Sequence, residues 1–249
     1  METKNQSTTY TGADAIAFLA PLGVFMILGT PTIWGFIESL GLVGGDGSPS
    51  RVLATVIVRD VLIFMVVAWF AKPILRSFPL RISLTGAIIG VLGGVLWIGL
   101  CRFHPEGFLL QLLGVSTDYL AIREGVNPWE LYESSITRGV FLVFRFTLLV
   151  LAVPIAEELA IRGFLARSVE SDTWETLKLS DVRWRGFAAV TAYAVLTHPS
   201  EAIAAILWFG MVSLMMIRTG RFWDCVLAHA ITNAMLGIYV CVMADWRWW

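Results

Sequence analysis

Residues 139–163 read GVFLVFRFTLLVLAVPIAEELAIRG. From Gly139 to Ala156 the stretch is almost wholly apolar, with Arg145 its one charge. A run of about 18–20 such residues is long enough to cross a bilayer core as a helix, so it reads as a membrane span. Yet it runs into Glu157, Glu158 and Arg162. Ionisable groups at membrane depth are costly and need a reason. On a helix Glu158 and Arg162 are i,i+4 neighbours in the favourable order, acid before base, and are expected to pair. Glu157 then points about 100° away with no local cation. Pro154, just upstream, removes a backbone hydrogen bond and loosens the helix at that point. The acidic pair therefore divides into one supporting carboxylate and one without an assigned partner.

The rest of the chain fits a membrane setting. Of its 249 residues 57% are hydrophobic and only 15% charged, and the mean hydropathy is +0.74. Soluble domains lie nearer 45–50% apolar and about 25% charged, so lipid must cover the excess. The formal charge of −1 gives no reason to expect nucleic acid as a partner. Cys101, Cys225 and Cys241 are an odd number without metal-ligand spacing and read as small buried hydrophobes. The N-terminal METKNQSTTYTGAD lacks the basic and apolar regions of a removable signal peptide.

Apolar stretches fall at about 15–37, 52–71, 83–100, 139–166, 186–198, 201–217 and 222–244. An amphipathic patch, FLLQLLGV at 108–115, is a candidate eighth element. The fold class expected is thus all-α, a polytopic membrane helix bundle of seven to eight transmembrane helices. It forms a single integral membrane domain over 1–249, with the polar motifs within 139–240. Lysines and arginines gather in the 72–81 loop (Lys72, Arg76, Arg81), the 167–185 loop (Arg167, Lys178, Arg183, Arg185) and the 218–221 turn (Arg218, Arg221). Seven alternating spans put all three on one side, which the positive-inside rule makes cytoplasmic, with the N-terminus there too. The 102–137 loop, with Arg102 and Arg123, falls outside, and Trp246, Trp248 and Trp249 read as an outer aromatic belt. The location expected is a prokaryotic inner membrane.

Within the spans, Glu38, Arg59, Asp60 and Arg145 read as interfacial or interhelical pairing groups, and His104 as a loop histidine. Three places point to chemistry. Besides Glu157 they are His198, at a helix end marked by Pro199, and His229 with Asn233, one helical turn apart in HAITN. Glu157 is ten residues from Arg167, His198 thirteen from Arg185 and His229 eight from Arg221. At 1.5 Å per residue all lie about 12–20 Å below the basic boundary, with Asn233 level with His198. A carboxylate, two imidazoles and an amide in one apolar layer suit hydrolysis of an amide. Glutamate and histidine would activate water, and donors would face the oxyanion. Two alternatives stand beside this. Glu157, His198 and His229 could form a zinc set, or the polar groups could be interhelical glue in a scaffold or immunity protein.

EELAIR, the histidine ending the next span, and HAITN resemble the CAAX-protease and bacteriocin-processing family of intramembrane glutamate endopeptidases, which includes prenyl-protein endopeptidases. A prokaryotic branch described as CAAX prenyl protease-related has a similar size and layout. The resemblance covers about residues 139–240. It implies that Glu157 activates water with His198, that His229 and Asn233 form the oxyanion site, and that Glu158 and Arg162 support the helix. It also implies no cofactor, and a lipidated or membrane-anchored peptide or protein substrate. The family has Phe four residues before the second-motif histidine. This chain has Ala194 there, and Tyr193 beside it is the candidate substrate contact.

Overall fold

The computed structural model describes residues 12–114, 116 and 125–248. Among these, every regular element is helical. The main ones are α1 (Gly12–Ile27), α2 (Pro31–Ser39), α3 (Pro49–Trp69), α4 (Leu84–Phe103), α5 (Ser135–Ser168), α6 (Trp184–Thr197), α7 (Ala202–Thr219) and α8 (Phe222–Met243). The all-helical polytopic bundle is borne out. Among the described residues, five helices are long and apolar enough to cross a membrane, or six if α1 and α2 count as one bent span.

The expected span at 15–37 breaks between Leu28 and Thr30, and its halves are bent by 59°. Pro31 has no N–H to continue the helix, and it holds Thr30 in the extended region. The expected span at 186–198 is only the 14-residue α6, about 21 Å against a core of about 30 Å. It stops because Pro199 follows His198, and the chain turns back as α7. The 108–115 patch becomes part of an eight-residue helix, Pro105–Leu112, too short to cross; Val115 lies outside the described residues, as do residues 1–11, Arg123 and Trp249.

The three basic loops meet at one end of the bundle. Trp223 Nε1 donates to the Phe78 carbonyl at 2.8 Å, and Phe222 stacks on Phe78 with centroids 4.3 Å apart. Ser83 donates its backbone N–H and its hydroxyl to the Asp224 carboxylate, each at 2.6 Å. Phe18 of α1 packs against Phe78 and Trp174 at this same end. Arg167, expected as a loop charge, is instead buried over the rings of Phe18, Phe78 and Trp174, because α5 runs on to Ser168.

α4 and α8 run side by side in the same direction from this end. Gly86 faces Asp224, Gly90 faces Ala228 and Gly94 faces Met235. The four-residue spacing puts these glycines on one stripe, which lets two backbones approach closely where lipid supplies no hydrophobic drive. The two arms of the His198 hairpin are anchored by carboxylates from other elements. Glu170 accepts the N–H groups of Arg183 and Gly186 at the start of α6, and Glu106 accepts that of Ile203 at the start of α7. Both satisfy donors that a helix start leaves over and favour its positive dipole end.

Candidate functional site

α5 carries the first group of site residues, and it is not a regular helix. Two π-helical segments, Leu148–Ala152 and Leu159–Leu165, flank a six-residue α-helical stretch, Val153–Glu158. Wide turns of this kind recur at functional sites because they re-aim side chains. Glu158 lies wholly buried and pairs with Arg162, itself wholly buried, as the i,i+4 spacing predicts. Arg162 also donates to the Phe209 carbonyl at 3.3 Å. The second Glu158 oxygen meets His229 Nδ1 at 3.0 Å. Glu158 therefore does more than neutralise Arg162, since it also fixes the imidazole of the α8 histidine.

With Nδ1 bound to Glu158, Nε2 of His229 is left facing Glu157, 3.9 Å from Oε2. That exceeds a direct hydrogen bond. If Nδ1 donates its proton to Glu158, Nε2 donates only when the ring is an imidazolium; in the neutral ring it accepts. The ring face is held by Trp208, whose centroid lies 4.8 Å away. The Trp208 indole donates to Thr232 Oγ1 at 2.9 Å, and that hydroxyl donates to the Gly90 carbonyl at 2.9 Å. A chain of three bonded groups thus ties the histidine platform to the close α4–α8 contact.

Asn233 donates its side-chain amide to the Leu149 carbonyl at 2.9 Å. Leu149 lies in the first π-helical segment, and the residue five positions on is Pro154, which has no N–H to return. One of the two amide protons of Asn233 is thus used to satisfy α5. His198, at the end of α6, packs edge-on to Trp97 with centroids 5.3 Å apart, and 5.9 Å from Phe209. Its Nδ1 lies 2.9 Å from Thr197 Oγ1 and 3.3 Å from the Ala194 carbonyl, which directs Nε2 away from its own helix.

Glu157, His198, His229 and Asn233 all line one cavity of about 280 Å³. Its remaining wall is mostly apolar or aromatic, from Phe25, Trp97, Trp208 and Phe209 among others. Tyr193 is not among the lining residues. Its hydroxyl is directed to the Glu157 carboxylate, and its ring lies 6.3 Å from that of Phe209. Sequence reasoning missed Trp208 and Thr232, which carry no spacing signal. It also passed over Glu201, which lies in the turn beside His198 and lines the cavity. Arg145 was noticed for its charge, yet nothing in its spacing says that it faces this cavity. Among the described residues no three of the His, Cys, Asp and Glu side chains are grouped closely enough to hold a metal ion.

The order of a glutamate pair, a lone histidine and a histidine–asparagine turn on one cavity is the observation against which known proteins can be set. Residues 139–235 match the family described as type II CAAX prenyl endopeptidase Rce1-like. The match spans every residue of the four-residue layer, from Glu157 to Asn233, and bears out the resemblance over that segment. No curated protein and no solved structure matches the chain. The similarity to Rce1-like endopeptidases supports intramembrane protease activity in general, and the apolar helices fit an integral membrane protein.

Proposed function

We propose that this protein is a metal-independent intramembrane endopeptidase in which Glu157 activates water. The observation that carries this reading is the shared cavity: a carboxylate, two histidines and an amide converge inside an apolar bundle. Glu157 takes a proton from water as the hydroxide oxygen bonds to the peptide carbonyl carbon, and His198 holds that water. The charge that develops on the carbonyl oxygen is met by the Nε2–H of His229 as the imidazolium, whose Nδ1–H stays on Glu158, and by the second amide proton of Asn233. Collapse breaks the C–N bond, and Glu157 returns its proton to the leaving amine. Glu158 and Arg162 act through His229 and are positioning residues.

The substrate on this reading is a peptide or protein reached from the bilayer and carrying a lipid, with no nucleic acid or cofactor involved. The basic end of the bundle is the cytoplasmic face of a prokaryotic inner membrane, with the N-terminus on it. The meeting of three basic loops and the start of α1 at that end supports the orientation.

The test is cleavage of a prenylated peptide by the purified protein in lipid discs. Wild type, Glu157→Ala and His198→Ala are compared with and without chelator. The expectation is loss of turnover in both variants and none with chelator. Full activity in Glu157→Ala would sink the glutamate mechanism, and chelator-sensitive activity restored by zinc would replace it with a metal one.

A further inference from the structure

The catalytic cavity is lopsided along the bundle axis. Its lining runs from Glu157 back to Arg145 on α5 and from His229 forward to Leu236 on α8. Both directions lead away from the basic loops, because α5 ends and α8 begins at the basic end, where Arg167 and Phe222 meet Phe78. None of the described lining residues lies nearer that end than the layer of Glu157 and His229. On the basic side the bundle is closed. Ile161, Arg162 and Ala166 follow Glu157 at no more than 1% exposure, and beyond them Arg167 is buried under aromatic rings. Packing at that density leaves no passage for a peptide.

On the far side the cavity leads on. A second space, of about 320 Å³, shares Leu236 and Trp248 with it. Along α8, His229, Asn233, Leu236 and Tyr239 line first one space and then the other. Steps of three or four residues put them on one helix face, so the two spaces form one path about 15 Å long. Its outer part is polar, with Arg102, His104, Tyr239, Asp245 and Arg247 in the wall. Such groups can bond an entering peptide backbone, whose N–H and C=O are costly to strand in lipid.

Trp248 stands where the two parts meet. Its indole donates to Asp245 at 3.0 Å, and its ring stacks on His104 with centroids 5.7 Å apart. Asp245 also accepts from the Arg247 guanidinium, at 2.8 and 3.0 Å. The indole is thus held from two sides by groups outside the catalytic layer.

We propose that the peptide substrate enters from the end opposite the basic loops, through this polar space, and that Trp248 is the gate between it and Glu157. This rests on the peptidase reading above and names the substrate class by its place: a segment exposed at the membrane face away from the basic loops. On the orientation argued from those loops, that face is the non-cytoplasmic one.

Access is read first, without turnover. Cys101, Cys225 and Cys241 are replaced by alanine. One cysteine is then introduced by Val153→Cys in the cavity wall, by Ser180→Cys in a basic loop, or by Ser135→Cys at the far end of α5. Spheroplasts and inside-out membrane vesicles are treated with a sulfonated maleimide that cannot cross the membrane. Val153→Cys should label from the same side as Ser135→Cys and from the side opposite Ser180→Cys. Trp248→Ala should speed that labelling on the order of tenfold, because access to a covered site follows the free energy of opening it. Leu236→Trp, which narrows the shared wall, should slow it, and a misfolded protein would not give both changes. Labelling of Val153→Cys from the side of Ser180→Cys, or from neither side while both controls label, overturns the entry route. A rate that Trp248→Ala and Leu236→Trp leave unchanged overturns the gate.

Cleavage is read next, with the wild-type protein and a prenylated peptide carrying a sulfonated dye that keeps it on one side. Turnover is expected only from the side that labels Ser135→Cys. Turnover from the side of Ser180→Cys overturns the proposal. The expected labelling with no cleavage from either side would leave the route standing and remove the peptidase reading.

Discussion

Asn233 on α8 donates its side-chain amide to the Leu149 carbonyl of α5, at 2.9 Å, where Pro154 has left that carbonyl without its partner in the wide turn. The asparagine therefore binds the helix that presents Glu157 and faces the cavity at the same time. Asn233→Ala should lower stability by about 1–3 kcal/mol, the cost of leaving a buried acceptor unsatisfied. Under the proposed mechanism it should also lower kcat more than it raises KM, because the oxyanion contact exists only in the transition state. Asn233→Asp supplies no donor when ionised and should be no better in either measurement. A stable Asn233→Ala with unchanged kcat would remove both roles.

Glu158 lies between Arg162 and His229, wholly buried. Removing one charge of a buried pair strands the other, a loss of about 3–5 kcal/mol, whereas replacing both by apolar groups is often near neutral. Arg162→Met alone should therefore lower the midpoint of thermal unfolding strongly. Glu158→Leu combined with Arg162→Met should recover much of that loss yet stay inactive, because His229 has lost the acceptor for Nδ1. Recovery of activity together with stability in the double variant would show that Glu158 does not position His229.

Tyr132 supplies a pH-dependent signal at the end of the bundle away from the basic loops. Burial pushes its hydroxyl up to about 12, from an ordinary value near 10, and the hydroxyl donates to the Pro49 carbonyl at 3.2 Å. The unfolded chain gives up this proton first, so between about pH 10 and about pH 12 the folded state holds more protons and stability falls as pH rises. Tyr132→Phe should flatten that alkaline loss in unfolding measured from pH 8 to 11. The same variant should cost about 1 kcal/mol at neutral pH for the missing bond.

Much of this architecture follows from residue spacing alone. The helical stretches begin and end close to where apolar runs do, because a bilayer imposes length and apolarity on every span. Depth counted from the flanking arginines brought Glu157, His198, His229 and Asn233 to one layer, and they line one cavity. What spacing could not carry was anything set by contact across helices. His229 Nε2 lies 3.9 Å from Glu157 Oε2 because Glu158, on another helix, fixes the His229 ring through Nδ1. Arg167 counts as a loop charge by composition but is buried under three aromatic rings. The 59° break at Leu28–Thr30 leaves a clear mark in the sequence, GTP, yet the hydropathy of 15–37 runs straight across it.

The α4–α8 contact underlies the His229 platform, since Thr232 and Gly90 are both part of it. A Cβ on Gly90 would lie 2.8 Å from the Ala228 carbonyl oxygen and 2.8 Å from the Ile231 Cβ, with backbone on one side unable to yield. Gly90→Ala should therefore push the helices apart and lower stability by about 1–3 kcal/mol, as overpacked cores do. Gly99 lies on the same helix with nothing within 4 Å of an added Cβ. Gly99→Ala should be neutral or stabilising by up to about 1 kcal/mol, because alanine is the better helix former. Because His229 is held through Trp208 and Thr232 against this seam, Gly90→Ala should also reduce turnover while Gly99→Ala leaves it unchanged. Unfolding of the two variants in a denaturing detergent titration, beside their cleavage rates, checks both halves. A Gly90→Ala protein as stable and active as Gly99→Ala would mean that the close approach of α4 to α8 does not position the site.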